Sequence, residues 1–160
     1  MGKMKIKKLA AFTLMEVTIA MLLAAISITI TYTTYHIVSR SYSDYARKQK
    51  DLAVFLTVDK LLKKDILEGE KILRLEDGLS IEVEGRLITY VFGDSYLLRD
   101  QFSLQTDTFA MPITGVEFSF ENLPARDGEL LDKIAFATTL DGSVMPMIYR
   151  KKYSSMDLFE

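Results

Sequence analysis

The chain has no cysteine and no tryptophan, a single histidine, His36, and only three prolines in 160 residues. Without cysteine there is no disulfide, no thiolate metal site and no sulfur redox chemistry, so the fold must be held by packing and backbone pairing alone. His36 has no second histidine or cysteine to join it as a metal ligand or catalytic pair, and reads as an interfacial polar residue. Glycine and proline are both missing between Gly2 and Gly69. Nothing in that interval is a strong helix breaker. Charge is missing as well: from Val17 to Ser39 there is no Asp, Glu, Lys or Arg.

That uncharged run, at a helical rise of ~1.5 Å per residue, is about 35 Å long, enough to cross a bilayer core of roughly 30 Å. Residues 12–39 therefore read as a membrane span. Glu16 sits near its start, where a carboxylate entering hydrocarbon costs on the order of a few kcal/mol unless a cation meets it. In front lies a short leader, residues 1–11, with Lys3, Lys5, Lys7 and Lys8 and no acidic residue. By the positive-inside tendency this holds the N-terminus in the cytoplasm and places the body of the protein outside. An ordinary secretory signal has a shorter apolar region and ends at a small-residue site. A plain uncleaved anchor accounts for the length and orientation but leaves Glu16 unexplained.

Lys7-Lys8-Leu9-Ala10-Ala11-Phe12-Thr13-Leu14-Met15-Glu16-Val17 resembles the signal of type IV pilins and pseudopilins. The resemblance implies that a membrane prepilin peptidase cuts between Ala11 and Phe12 and N-methylates the new terminus. It also implies that Phe12, Thr13, Leu14 and Glu16 serve assembly, with Glu16 pairing with the Phe12 amine of a neighbouring subunit. Ala11 stands where the family usually has glycine. Many major pilins kink the transmembrane half with a proline and close the C-terminal region with a disulfide; this chain has neither device.

Beyond Arg40 the helical pattern continues but changes character. Leu52, Phe55, Leu56, Leu62 and Ile66, widened by Val58 and Leu61, form an apolar stripe, while Lys50, Lys60 and Lys64 occupy other faces. Residues 40–68 thus read as the amphipathic half of one helix that ends at Gly69 in a left-handed cap. Tyr32, Tyr35, Tyr42 and Tyr45 mark the crossing between the two halves, since tyrosine collects at membrane interfaces.

From residue 70 the period shifts toward two. Leu79-Ser-Ile81-Glu-Val83-Glu, Leu87-Ile-Thr-Tyr90-Val-Phe92 and Ser95-Tyr-Leu-Leu-Arg99 read as three strands of a meander, turning at Gly85-Arg86 and Gly93-Asp94. Asp100 to Thr114 reads as a looser connection. Gly115 to Glu121 is another alternating strand, and Lys133–Ala137 with Ser143–Tyr149 form a last hairpin. Pro146 cannot donate to a ladder, which puts that strand at an edge or puts the proline at its start. The tail from Arg150 is expected to be loosely ordered. One long helix followed by a β-rich head over 70–160, with an antiparallel sheet covering the amphipathic half, is an α+β layout. It matches the pilin-like architecture. Tyr90 to Arg99, together with Leu62-Lys-Lys-Asp65, is similar to the J-type minor pseudopilins of type II secretion.

Chemistry is sparse. No phosphate loop, no His-x-x-x-His pair and no serine with a histidine to activate it occurs, so an enzyme is not expected. No cofactor or metal is expected either: Asp77, Asp94, Asp100, Asp127 and Asp141 fall beside glycines or in turns, where turn chemistry explains them better than calcium does. With 20 basic and 22 acidic residues the net charge is −2, and loss of the four leader lysines takes it to −6. That balance argues against a nucleic-acid partner. The expected protein is a structural minor pseudopilin or pilin subunit, single-pass in a bacterial inner membrane with a periplasmic or extracellular head. Its expected partners are other pilin-like subunits, prepilin peptidase and the membrane. The alternatives are a tethered module that binds an exported substrate or surface, and a competence-type pseudopilin.

Overall fold

The computed structural model describes residues 13–154. Helix α1, Leu14–Glu68, is followed by nine strands: β1 Lys71–Leu75, β2 Gly78–Val83, β3 Arg86–Phe92, β4 Tyr96–Gln101, β5 Gln105–Ala110, β6 Ile113–Phe120, β7 Leu123–Pro124, β8 Lys133–Leu140 and β9 Ser143–Arg150. The chain divides into two compact units, Met1–Tyr45 and Ala46–Glu160. In the first, every described side chain up to Ser43 is exposed; in the second, the C-terminal part of α1 packs against the strands. The fold is α+β, a long N-terminal apolar helix with antiparallel sheets, consistent with a pilin-like layout.

Two sheets form the head rather than the single sheet expected. The first has order β1-β2-β3-β4-β5, a meander of antiparallel neighbours; the second has order β7-β6-β8-β9. Phe92 of β3 joins them, its ring meeting Phe118 of β6 at 5.6 Å and Phe136 of β8 at 5.3 Å, both edge-on. Val58, Leu62 and Ile66 of α1 enter the same core as Leu79, Ile81, Ile88, Tyr90 and Leu97 from the first sheet and Ile134, Phe136, Met147 and Tyr149 from the second. The buried stripe is narrower than the sequence pattern. Leu52 and Leu56 stay exposed, because the stripe turns onto the head only from about Val54 onward.

Several local expectations change. The stretch from Asp100 to Thr114 contains β5, a full strand paired with β4 from Gln101↔Gln105 to Tyr96↔Ala110. It lies at a sheet edge with most residues exposed, so it has no apolar alternation to betray it. The β2–β3 hairpin turns at Glu84 and Gly85, both at positive φ, one residue earlier than Gly85-Arg86. Gly69 ends the helix for a different reason than the expected left-handed cap. It is absent from the positive-φ positions, and its N–H still bonds the Asp65 carbonyl at 2.8 Å. A Cβ there would lie 2.3 Å from Ile81 Cγ2 and 3.0 Å from the Asp65 carbonyl oxygen. Close approach of β2 excludes a side chain.

Helix α1 has no basic residue in its last turn. Lys151 supplies one from the far end of the chain: its Nζ donates to the carbonyls of Leu67 and Gly69. Tyr153 donates from its hydroxyl to the Leu131 carbonyl at 2.6 Å and accepts the Ile72 N–H at 3.2 Å. Lys151 and Tyr153 thus tie the start of the tail down by specific bonds, contrary to the loose tail expected; residues 155–160 lie outside the described residues. Pro146 sits on β9, the edge strand of its sheet, where its missing N–H leaves no ladder bond unmade.

Candidate functional site

Of the residues singled out for processing, Ala11 and Phe12 lie outside the described residues. Thr13, Leu14 and Glu16 lie at the start of α1. Thr13 occupies the capping position: its hydroxyl accepts the Glu16 N–H at 3.2 Å, and Glu16 Oε2 accepts the Thr13 N–H at 3.0 Å and the Thr13 hydroxyl at 3.2 Å. This reciprocal pairing is a capping box, which satisfies two of the N–H groups that a helix start leaves unpaired. The pattern Thr13-x-x-Glu16 that encodes it is visible in the sequence. Glu16 therefore has a local partner. All three bonds involving the pair leave Oε1 of Glu16 without one among the described residues.

Downstream of the box the helix is built to be bare of charge. Its hydroxyls are satisfied internally: Thr18 donates to the Met15 carbonyl, and Ser27, Thr29, Thr31, Thr33 and Thr34 each donate to the carbonyl four residues back at 2.8–2.9 Å. A polar group bonded in this way can enter hydrocarbon at little cost. Among the described residues this is the one helix long and apolar enough to cross a membrane, and no part of its apolar window is buried within the chain. Glu16, Val17, Ala20, Met21 and Ala24 line one shallow groove along it. Alanines at this spacing permit close approach of a second helix. His36 packs its ring edge-on to Tyr32 at 4.4 Å, within the tyrosine-rich segment.

The head has a second constellation, whose members the sequence shows only as separate segments. Asp65, Tyr90 and Arg99 are all buried. Register explains two of them: Tyr90 and Arg99 are directly opposed across β3 and β4, and Asp107 follows opposite Arg99 on β5. Asp65 arrives from α1, in phase with Leu62 and Ile66. Arg99 grips it with a fork, Nε to Oδ2 at 2.7 Å and Nη2 to Oδ1 at 3.2 Å, while the Tyr90 hydroxyl donates to Oδ2 at 2.5 Å. Arg99 Nη1 also donates to Gln101 Oε1 at 3.0 Å and lies 3.7 Å from Asp107. A charged residue on the buried stripe of a helix was the signal available in the sequence.

Burial pushes the Tyr90 hydroxyl far above its ordinary value, and the Asp65 carboxylate adds to the shift. Tyr149, buried with its hydroxyl 3.1 Å from Asp59 Oδ1, is raised likewise by burial and by Asp59. For Arg99, burial alone would lower the pKa, but the Asp65 bond and the negative charge nearby outweigh it and the guanidinium is held more firmly protonated. A raised phenol stabilises the fold below the unfolded value of about 10 and loses that contribution as pH climbs past it. Head stability should accordingly fall above pH ~10, and Tyr90→Phe together with Tyr149→Phe should flatten the fall when urea midpoints are measured against pH. An unchanged alkaline slope in that double variant would count against the shifts.

Among the described residues no group of three His, Cys, Asp or Glu is arranged to hold a metal ion. The Asp65 cluster does not open as a reaction centre, since its carboxylate is already occupied by three donors. Compared with protein-family models, with curated proteins and with solved structures, the chain finds no match.

Proposed function

We propose that this protein is a structural minor subunit of a type IV pilin-like filament, of the pseudopilin kind, anchored in a bacterial inner membrane until it assembles. The observation that carries the reading is the helix that starts at Leu14, unbroken and exposed, with a carboxylate in its first turn, no charge from Val17 through Ser39, and a groove containing Ala20 and Ala24 beside that carboxylate. Such a surface is stable in lipid or against identical surfaces, and in little else. Prepilin peptidase would cut before Phe12 and methylate the new terminus. The amine of one subunit then meets Glu16 of the next, and the free Oε1 leaves room for that bond while Oε2 keeps the helix start capped.

The head supports the same reading. A buried ion pair, Arg99 with Asp65, locks it to the helix that would carry it into a filament. Purification of the tagged chain from its native membrane in mild detergent tests the proposal. Other subunits with a long apolar N-terminal helix should co-purify. Recovery of an exported ligand with no such subunits would instead indicate the tethered binding module.

A further inference from the structure

A groove of about 450 Å³ runs between the end of α1 and the edge strand β9, lined by Lys63, Ile66, Leu67, Ile148, Arg150 and the two lysines that follow it. Two apolar side chains of its lining stand open to solvent: Leu67 is 80% exposed and Ile148 58% exposed. Its rim is basic and holds no acidic residue. Lys63 is paired with Asp59 and Lys151 caps the helix, but Arg150 and Lys152 meet no acidic partner among the described residues.

The wall formed by β9 is also open along its backbone. Lys151 donates its N–H to the Asp132 carbonyl on the β8 side, so odd-numbered residues of this stretch face β8. Even-numbered ones, Ile148 and Arg150, turn their N–H and C=O outward. Pro146 shares that parity and has no N–H to offer, which confines pairing to the half of the strand beside the groove.

We propose that this groove receives an extended acidic segment of a second protein chain, added to the edge of β9 as a further strand. Backbone pairing to Ile148 and Arg150 would fix its direction, apolar side chains would cover Leu67 and Ile148, and its carboxylates would meet Arg150 and Lys152. Charge complementarity selects the partner: Arg150 and Lys152, with no acidic partner among the described residues, attract an acidic segment and repel a basic one. The proposal does not rest on the filament reading, since it involves neither Glu16 nor the exposed helix.

Fluorescence anisotropy of the full chain in detergent micelles, with a short labelled peptide of alternating glutamate and valine, tests it. The peptide should bind, its lysine-for-glutamate counterpart should not, and Arg150→Glu combined with Lys152→Glu should weaken binding by about tenfold or more. N-methylation of alternate peptide amides should also abolish binding, because it removes the strand's donors. Equal binding of the acidic and basic peptides, indifference to the charge reversal, or full retention after N-methylation would each overturn the proposal. So would binding only after deletion of residues 155–160, which carry Asp157 and Glu160 beside Met156, Leu158 and Phe159; the occupant would then be the chain's own segment.

Discussion

Asp65→Ala should cost the head about 3–5 kcal/mol, measured as the shift in urea unfolding of the detergent-solubilised chain. The side chain it removes is 1% exposed and accepts three hydrogen bonds, two from Arg99 and one from Tyr90. Removal leaves a buried guanidinium with only Gln101 and the more distant, partly exposed Asp107 as partners, and that poorly compensated charge sets the magnitude. Since head domains have a total stability of only some 5–15 kcal/mol, the variant should sit near the edge of folding. Replacing all three members with apolar residues, as Asp65→Leu, Tyr90→Phe and Arg99→Met, should restore most of the loss, because no charge is then stranded. The Lys48–Asp141 pair makes the contrast: both side chains are more than half exposed, so breaking it should change stability by less than ~1 kcal/mol. A loss under ~1 kcal/mol for Asp65→Ala would mean that the buried fork does not hold helix and sheet together.

Two substitutions at Glu16 should separate charge from capping. Glu16→Gln keeps a side chain that can return a hydrogen bond to Thr13, since glutamine serves in a capping box as glutamate does. Glu16→Ala removes both the bond and the charge. Membrane insertion should survive in each, because the uncharged helix that drives it is untouched. Assembly with partner subunits should be lost in each, because neither side chain can pair with a cationic terminus. Complex formation can be followed by co-purification from membranes. Normal assembly of Glu16→Gln with failure of Glu16→Ala would reduce Glu16 to a helix cap.

Much of the fold was legible because the relevant signals are periodic. The absence of glycine and proline between Gly2 and Gly69 and the alternation at Leu79–Val83 and Leu87–Phe92 fixed the helix and the meander, and Pro146 left its strand either an edge place or a start at the proline, of which the edge is found. Three features escaped for physical reasons. Strand β5 is an exposed edge, so its Gln105-Thr-Asp-Thr run has no apolar face to alternate. The burial of Asp65 could not be read locally, because its partners, Tyr90 and Arg99, come from strands 25 and 34 residues away. Gly69 looked like a left-handed cap, whereas what demands it is the Ile81 side chain, a contact that exists only once β2 has returned to the helix. At the candidate site the composition of the span and the position of Glu16 were evident from the sequence. The capping bond that shares its carboxylate needed geometry, and the buried triad needed the strand register.

The intact mass of the protein extracted from its native membrane is the most direct test of the assembly reading. A chain that begins at Phe12 and carries one added methyl group is expected, because cleavage there creates the amine that Glu16 is to meet. A chain that retains Met1 and its leader lysines, or one cut beyond Glu16, would contradict it.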